Sequence, residues 1–302
     1  MDERVFELAE IGLNARLRAA MPRGASALLW FLQKKPLGAA GALVIGGMLL
    51  MALAAGLVAP YDPLETDFGT MLGAPSRAHW LGTDAFGRDV LSRIMHGART
   101  ALLVGFASSF LGATLGALIG VASAYLGGRV DLYTQRCMDI VISFPIIVLA
   151  LTVVAMLGSG TFNLILAITI PFIPRVSQVV RASALAIREM PYIEAARALG
   201  VRSSRIILRH MFPNVMASYL VMLTAFLGQA ILLEASLSFL GLGTAEPTPS
   251  WGLMLRGAAV EFAERAPWMA VFPGLTISAA VFAFNVLGDA LRDVLDPKLR
   301  MA

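Results

Sequence analysis

Residues 191–213 read PYIEAARALGVRSSRIILRHMFP, a polar stretch set between two long apolar segments. Pro191 suits the first turn of a helix, where its missing N–H has no partner to lose. Tyr192 to Leu199 then reads as two helical turns, and Gly200 supplies the left-handed residue that ends them. Ser203 or Ser204 can cap a second helix running to about Phe212, with Pro213 as its stop. Ala195, Ala196 and Ala198 offer a surface of small side chains, with Glu194 and the arginines placed to fix its register. Helix, glycine break, helix is the geometry of a rigid knuckle. The plain alternative is a solvated basic connection, since Glu-Ala-Ala alone is common in helices. The spacing from Glu194 to Gly200 and on to Pro213, between apolar spans, favours the knuckle.

Working outward, the flanking segments decide the class. A hydrocarbon core of ~30 Å needs ~20 apolar residues in helix, and Leu37–Ala59 supplies 23 without a charge. Five more candidate spans follow, at about Ala101–Leu126, Met138–Leu157, Phe162–Val180, Val215–Leu240 and Met269–Leu291. The chain of 302 residues has 58% hydrophobic and 15% charged residues, with a mean hydropathy of +0.75. Six spans leave little room for a soluble domain, so the expectation is an all-α polytopic membrane protein. A soluble helical core would need most helices to be apolar all round, and membrane strands would show short alternating segments. The first span follows 36 residues that include Asp2, Glu3, Glu7 and Glu10. It reads as a retained anchor and not a cleaved signal, with Trp30, Lys34 and Lys35 at the interface. The single Cys137 excludes an internal disulfide and a cysteine-based metal site.

The basic residues are unevenly distributed. Of the 24 lysines and arginines, only Arg77, Arg88, Arg93, Arg99, Arg256 and Arg265 fall in connections on one side. The positive-inside rule then makes both termini and the 191–213 loop cytoplasmic. This pattern is the ordinary topological signal, and it disfavours a nucleic-acid surface.

Three stretches can be separated along the chain. Residues 1–98 hold a cytoplasmic lead, the first span and an outer loop. Residues 99–292 hold five closely spaced spans with the 191–213 loop among them, and residues 293–302 form a cytoplasmic tail. Gly112, Gly116 and Gly120, four apart, form a stripe that lets another helix approach closely. Pro145, Pro171 and Pro174 should kink spans three and four. The outer loop Gly241–Pro267 is long enough to fold over the outer mouth.

Several chemistries are absent. No lysine follows a glycine, so there is no phosphate-binding Gly-Lys-Ser/Thr loop, and neither His-Glu-x-x-His nor Gly-x-Ser-x-Gly occurs. The three histidines, His79, His96 and His210, are far apart, and a shared metal site is not expected. Ionisable groups within spans are costly and often functional. Glu234 lies about six residues beyond the middle of span five, ~9 Å along the helix. It should face the bundle or a water-filled path, or else pair structurally, with Arg256 for instance. Gln229, Asn285 and Asp289 are weaker candidates.

A set of motifs now carries a resemblance. They are His79-Trp80-Leu81-Gly82-Thr83-Asp84, Gly87-Arg88-Asp89-Val90-Leu91-Ser92-Arg93, Ser143-Phe144-Pro145, Tyr192 through Gly200, Arg209-His210-Met211-Phe212-Pro213-Asn214, and Leu237-Ser238-Phe239-Leu240-Gly241-Leu242-Gly243. Over most of its length the chain resembles the second of the two paired permeases in ABC importers for dipeptides, oligopeptides and nickel. Residues 191–213 look like the EAA loop of such permeases. The broad pattern has Ile and Leu where this chain has His210 and Phe212, and His210 is usual for the peptide/nickel branch. The resemblance implies a type I importer permease fold in a bacterial inner membrane, with Tyr192, Glu194, Ala195, Ala196, Leu199 and Gly200 touching an ATPase subunit. It further implies a homologous permease, two nucleotide-binding subunits that bind ATP and Mg, and an extracytoplasmic solute-binding protein. No cofactor, catalytic residue or metal is implied on this chain. Gln229, Glu234 and Asn285 become candidates for the substrate path. An ion-coupled secondary transporter would need carboxylates or ion sites near the midplane, and spans one to four are almost free of charge. An intramembrane enzyme would need a catalytic dyad, and Asp289 has no evident acidic mate. Peptide length, nickel and related small solutes all remain open as cargo.

Overall fold

A computed structural model describes residues 34–262 and 264–295. The expected lead with Trp30, and the tail from residue 296 on, lie outside the described residues. Helix α1, Pro36–Val58, begins with its proline in the first turn, as the missing N–H allows. Helix α2, Val90–Leu126, has 37 residues, about 55 Å at the helical rise and longer than any bilayer core. It starts eleven residues before the apolar run expected at Ala101, because Asp89 caps it: Asp89 Oδ2 accepts from Ser92 N and from Ser92 Oγ, both at 2.8 Å. The sequence division at residue 98 therefore falls inside a continuous helix.

The third expected span is not a straight rod. Helices α3, Gly128–Ile142, and α4, Ile146–Leu157, meet at a bend of 89°. Pro145 lacks an N–H and pushes Phe144 out of helical geometry, so the apolar run from Met138 is cut at Ser143–Pro145. Helix α4 has 12 residues, about 18 Å, and cannot cross a bilayer alone. Helix α5, Thr161–Arg188, keeps Pro171 and Pro174 inside an unbroken helix. Helices α6, Pro191–Ala198, α7, Met216–Phe239, α8, Trp251–Glu261, and α9, Trp268–Leu295, complete the order. Five helical stretches are long and apolar enough to cross a membrane, and the bent pair is the sixth candidate. No strand occurs among the described residues.

Close packing in lipid depends on small residues, since apolar burial there gives little net drive. The glycine stripe of α2 meets α5 at backbone distance. A Cβ on Gly116 would lie 2.5 Å from Ile173 O, and one on Gly120 2.5 Å from Ser177 O. Gly41 performs the same service between α1 and α9, 2.7 Å from Ala283 O by that measure. Two apolar clusters result. One joins α2 from Val104 onward, α4, α5, the 191–215 segment and α7 along its length, with Phe172 stacked on Phe226 at 4.2 Å. The other joins α1, the first half of α2, the second half of α7, α8 and α9. Helices α2 and α7 belong to both.

The contacts define two ends. At one, Lys35 Nζ meets Asp293 Oδ2 at 2.5 Å and Arg188 Nη1 donates to Ala124 O at 3.0 Å. At the other, Trp251 Nε1 donates to Ile94 O at 3.0 Å and Trp268 Nε1 to Thr83 O at 3.2 Å. Within the 241–267 loop Trp251 is fully buried and anchors the loop to the start of α2.

Candidate functional site

Residues 191–215 lie at the end where α2 stops. Ile193 is fully buried and Ala196 nearly so, three positions apart on one face of α6. With Ile206 and Met211, also fully buried, they seat the segment in the first apolar cluster. The Arg197 guanidinium sits 4.7 Å from the centre of the Tyr125 ring and ties α6 to the end of α2. Tyr192, Glu194, Ala195, Leu199 and Gly200 face outward, Leu199 with 83% of its surface exposed. Five of the six residues expected to touch an ATPase subunit are thus exposed, and the sixth, Ala196, is buried with Ile193 at i, i+3.

Gly200 has φ +70°, and its N–H donates to Arg197 O at 2.9 Å while Val201 N–H reaches back to Ala196 O at 3.1 Å. No atom lies within 4 Å of where its Cβ would stand. Backbone conformation, not crowding, requires glycine here. The expected second helix is a composite: Ser203–Arg205 is α-helical, Ile206–Met211 is a widened π turn and Phe212–Val215 a tighter 3-10 turn. Phe212 N–H donates to Ile207 O, a five-residue step. Pro213 does not stop the chain, which runs straight on into α7. Its ring would collide with the carbonyl four residues back, and widening the preceding turn relieves that clash.

Of the residues expected on a path, Gln229 and Asn285 lie at neighbouring positions, since Asn285 Oδ1 packs against Gly228, and Glu234 stands apart from them. Glu234 is fully buried, and its Oε1 accepts from Ser238 Oγ at 2.9 Å and Ser250 Oγ at 2.8 Å. Its Oε2 has no hydrogen-bond partner among the described residues. Arg256 is not its mate; that guanidinium lies against Gly241. Gln229 is half-buried on α7. Asn285 is exposed and lines a cleft of about 270 Å3 between α7 and α9, with Val221, Ala225, Asp289 and Arg292. Glu234 is six residues along α7 from Gly228, against which Asn285 packs, about 9 Å at the helical rise.

The opposite end carries the His79–Arg93 motifs, and they fold into a platform under the start of α2. Asp84 Oδ1 accepts from Phe86 N at 2.8 Å and Arg88 N at 2.9 Å, and its Oδ2 accepts from Arg88 Nε at 2.6 Å. His79 Nδ1 is 3.0 Å from Asp89 Oδ1. Tyr61 N–H donates to Ser92 Oγ at 3.1 Å, and its ring lies 4.6 Å from that of His79. Gly82 and Gly87 both have positive φ. Among the described residues no group of three or more His, Cys, Asp or Glu side chains is placed to hold a metal.

Residues 97–301 match the family described as the inner membrane component of binding-protein-dependent transport systems. The chain belongs to that family. This permease is 40% identical over 269 residues to the dipeptide transport system permease protein DppC of Alkalihalophilus pseudofirmus, covering 89% of this chain and 88% of that one. It is 44% identical over 260 residues to the glutathione transport system permease protein GsiD of Escherichia coli O1:K1, covering 86% of each. A chain of the MetNI methionine ABC transporter in an inward-facing crystal form superposes with a TM-score of 0.54 at 18% identity, covering 68% of the permease and 96% of that chain. At that identity the likeness concerns the fold. The relatives are transport subunits, and the permease is accordingly a multi-pass inner-membrane protein that works with other permease, ATPase and binding-protein components.

Proposed function

We propose that this permease forms, with a homologous permease, the path by which an ATP-driven importer takes up short peptides, and that residues 190–200 are gripped by an ATPase subunit. Both termini and this segment face the cytoplasm, by the excess of arginine and lysine at that end. A binding protein delivers cargo at the opposite end. The observation that carries the coupling role is an exposed, rigidly seated surface of Tyr192, Glu194, Ala195 and Leu199 on a helix whose other face is anchored by Ile193 and Ala196.

Work enters mechanically. When the ATPase subunits close on nucleotide, each elbow is pushed as a rigid body. The push passes through Ile193, Ile206 and Met211 into α5 and α7, and through the Arg197–Tyr125 contact into α2. The tight α2–α5 pair moves as one unit, and hydrolysis resets it. By role we assign the first span and the platform to anchoring and capping and the helices from α2 to α9 to path and elbow; the expected boundaries at 98 and 293 fall inside α2 and α9. Peptide cargo is favoured over nickel by the names of the relatives and by the wide separation of His79 and His210. Asn285 in the α7–α9 cleft is the better path candidate, Gln229 is secondary, and Glu234 is structural.

The test is a pair of surface changes, Glu194→Lys and Leu199→Asp, in the assembled transporter. Co-purifying ATPase should fall at least tenfold and uptake with it, while the variant elutes as a folded protein. Unchanged ATPase recovery and uptake would refute the role of the elbow.

A further inference from the structure

Beside the platform, a cavity of about 370 Å3 opens between the start of α2, the 241–250 segment, α8 and the start of α9. Its polar lining is Asp84, Arg88, Arg93, Glu246 and Arg256; Leu253, Met254 and Met269 give it an apolar wall. Three guanidinium groups thus face two carboxylates, leaving one positive charge in excess. The size suits a small solute.

The arginines are not equally engaged. Arg88 is held by Asp84 and lies over the Phe86 ring at 4.6 Å. Arg93 is only 4% exposed. Its Nη1 donates to Pro63 O at 3.2 Å, but its Nε stands 3.7 Å from Asp84 Oδ2, outside hydrogen-bond reach, and has no other acceptor. Asp84 is already used by three donors, so it does not complete Arg93. Arg256 is exposed at the rim and makes no hydrogen bond or ion pair among the described residues. Arg256 thus has its donors open to the cavity mouth, and a planar guanidinium matches a carboxylate in shape and charge.

We infer that this cavity is a carboxylate-binding site for a small amphipathic solute, with Arg256 at its rim as the hydrogen-bonding group and the buried charge of Arg93 behind its wall. Resting on the peptide-import reading above, the group it takes is the free C-terminal carboxylate of a short peptide, received at the outer rim before passage. The apolar wall of Leu253, Met254 and Met269 then meets the peptide's side chains.

The experiment uses the full transporter in lipid nanodiscs without its binding protein, probed by saturation-transfer NMR with dialanine and with dialanine amide. The acid should bind at least tenfold more tightly than the amide. Arg256→Gln should weaken the acid about tenfold and leave the amide unchanged, while Arg256→Lys keeps part of the preference. Arg256 lies outside the buried network, so elution and the unfolding midpoint should stay at wild-type values. Equal binding of acid and amide, or full acid preference in Arg256→Gln, overturns the site. So does a variant in which, on adding the substrate-free binding protein to the nanodiscs, only its docking is weakened, since the arginines would then serve a protein carboxylate. ATPase recovery is scored on the same preparations, and uptake on the same variants in sealed proteoliposomes with the binding protein added. Their absence alongside a retained acid preference breaks the transport reading alone, and their presence without that preference breaks the site alone.

Discussion

At the end where α2 starts, residues 79–93 fold into a platform whose aspartates are answered within the chain by Arg88, His79 and Ser92. At the end where α2 stops, residues 191–200 carry Tyr192, Glu194 and Leu199 outward with nothing of the chain over them. The glycines differ in the same way. Gly82 and Gly87 have positive φ and are also crowded, Gly82 by the Trp268 indole and Gly87 by the backbone of Asp67. Gly200 has positive φ in open space. A region whose aspartates are met and whose positive-φ glycines are hemmed in by its own chain is built to hold still. A region seated by a few buried side chains, with an apolar residue left in the open at a polar end of the bundle, is built to meet another surface.

The contrast breaks most visibly at Gly87. An alanine there must hold φ near +73° and place its Cβ into the Asp67 backbone. The left-handed conformation costs about 1–2 kcal/mol and the forced overlap about 1–3 kcal/mol more. Gly87→Ala should therefore lower the unfolding midpoint in detergent more than any elbow substitution, with a fall in monodisperse yield. A Gly87→Ala protein as stable as Gly200→Ala would mean that the platform is no more rigid than the elbow.

How much of this was legible in the sequence differs between the two ends. The elbow could be read almost residue by residue, because Pro191, Gly200 and their spacing act locally through backbone geometry. The glycine stripe at 112, 116 and 120 could be read as a packing face for the same reason, though its partner α5 could not. The platform was visible only as motifs. The Asp89 cap on Ser92 and the Asp84–Arg88 pair are local, three and four residues apart, and could have been read. The contacts of His79 with Asp89 and of Tyr61 with Ser92 depend on how 60–89 folds back. The fate of Pro213 was misread because a proline can be absorbed by widening the preceding turn as well as by ending the helix. Pro145 illustrates the opposite outcome: nothing widens ahead of it, and the chain turns through 89°. Glu234 was placed correctly in the bundle, but its partners come from Ser238 one turn on and Ser250 beyond a loop, and only the second needed the tertiary structure.

Glu234 sharpens the comparison at intermediate size, since within a span it has one carboxylate oxygen satisfied inside the chain and the other, Oε2, without a hydrogen-bond partner among the described residues. Its Oε1 accepts two serine hydroxyls, one of them from the segment leading into α8. Glu234→Gln keeps a carbonyl acceptor at that place and should leave stability and uptake near wild type. Glu234→Ala removes it, strands both hydroxyls and opens a cavity, and should cost about 1–3 kcal/mol. The readout is the unfolding midpoint of the two variants side by side. If glutamine also abolished uptake while preserving the midpoint, Glu234 would belong to the path and not to the packing.

Gly200→Ala should have the smallest effect on stability, about 1–2 kcal/mol for φ near +70°, because its Cβ meets no atom. The buried anchors Ile193, Ile206 and Met211 lie on either side of position 200 and do not depend on it for their contacts. Strain at this joint is therefore relieved by reopening the turn between α6 and residue 203, not by unseating the elbow. Hydrogen exchange should accelerate at Gly200 and Val201, whose N–H groups bond to Arg197 O and Ala196 O. Exchange in α5 and α7 should not change. Faster exchange reaching α5 or α7 would show that the elbow is part of the bundle's own stability, and the two ends would then differ in degree and not in kind.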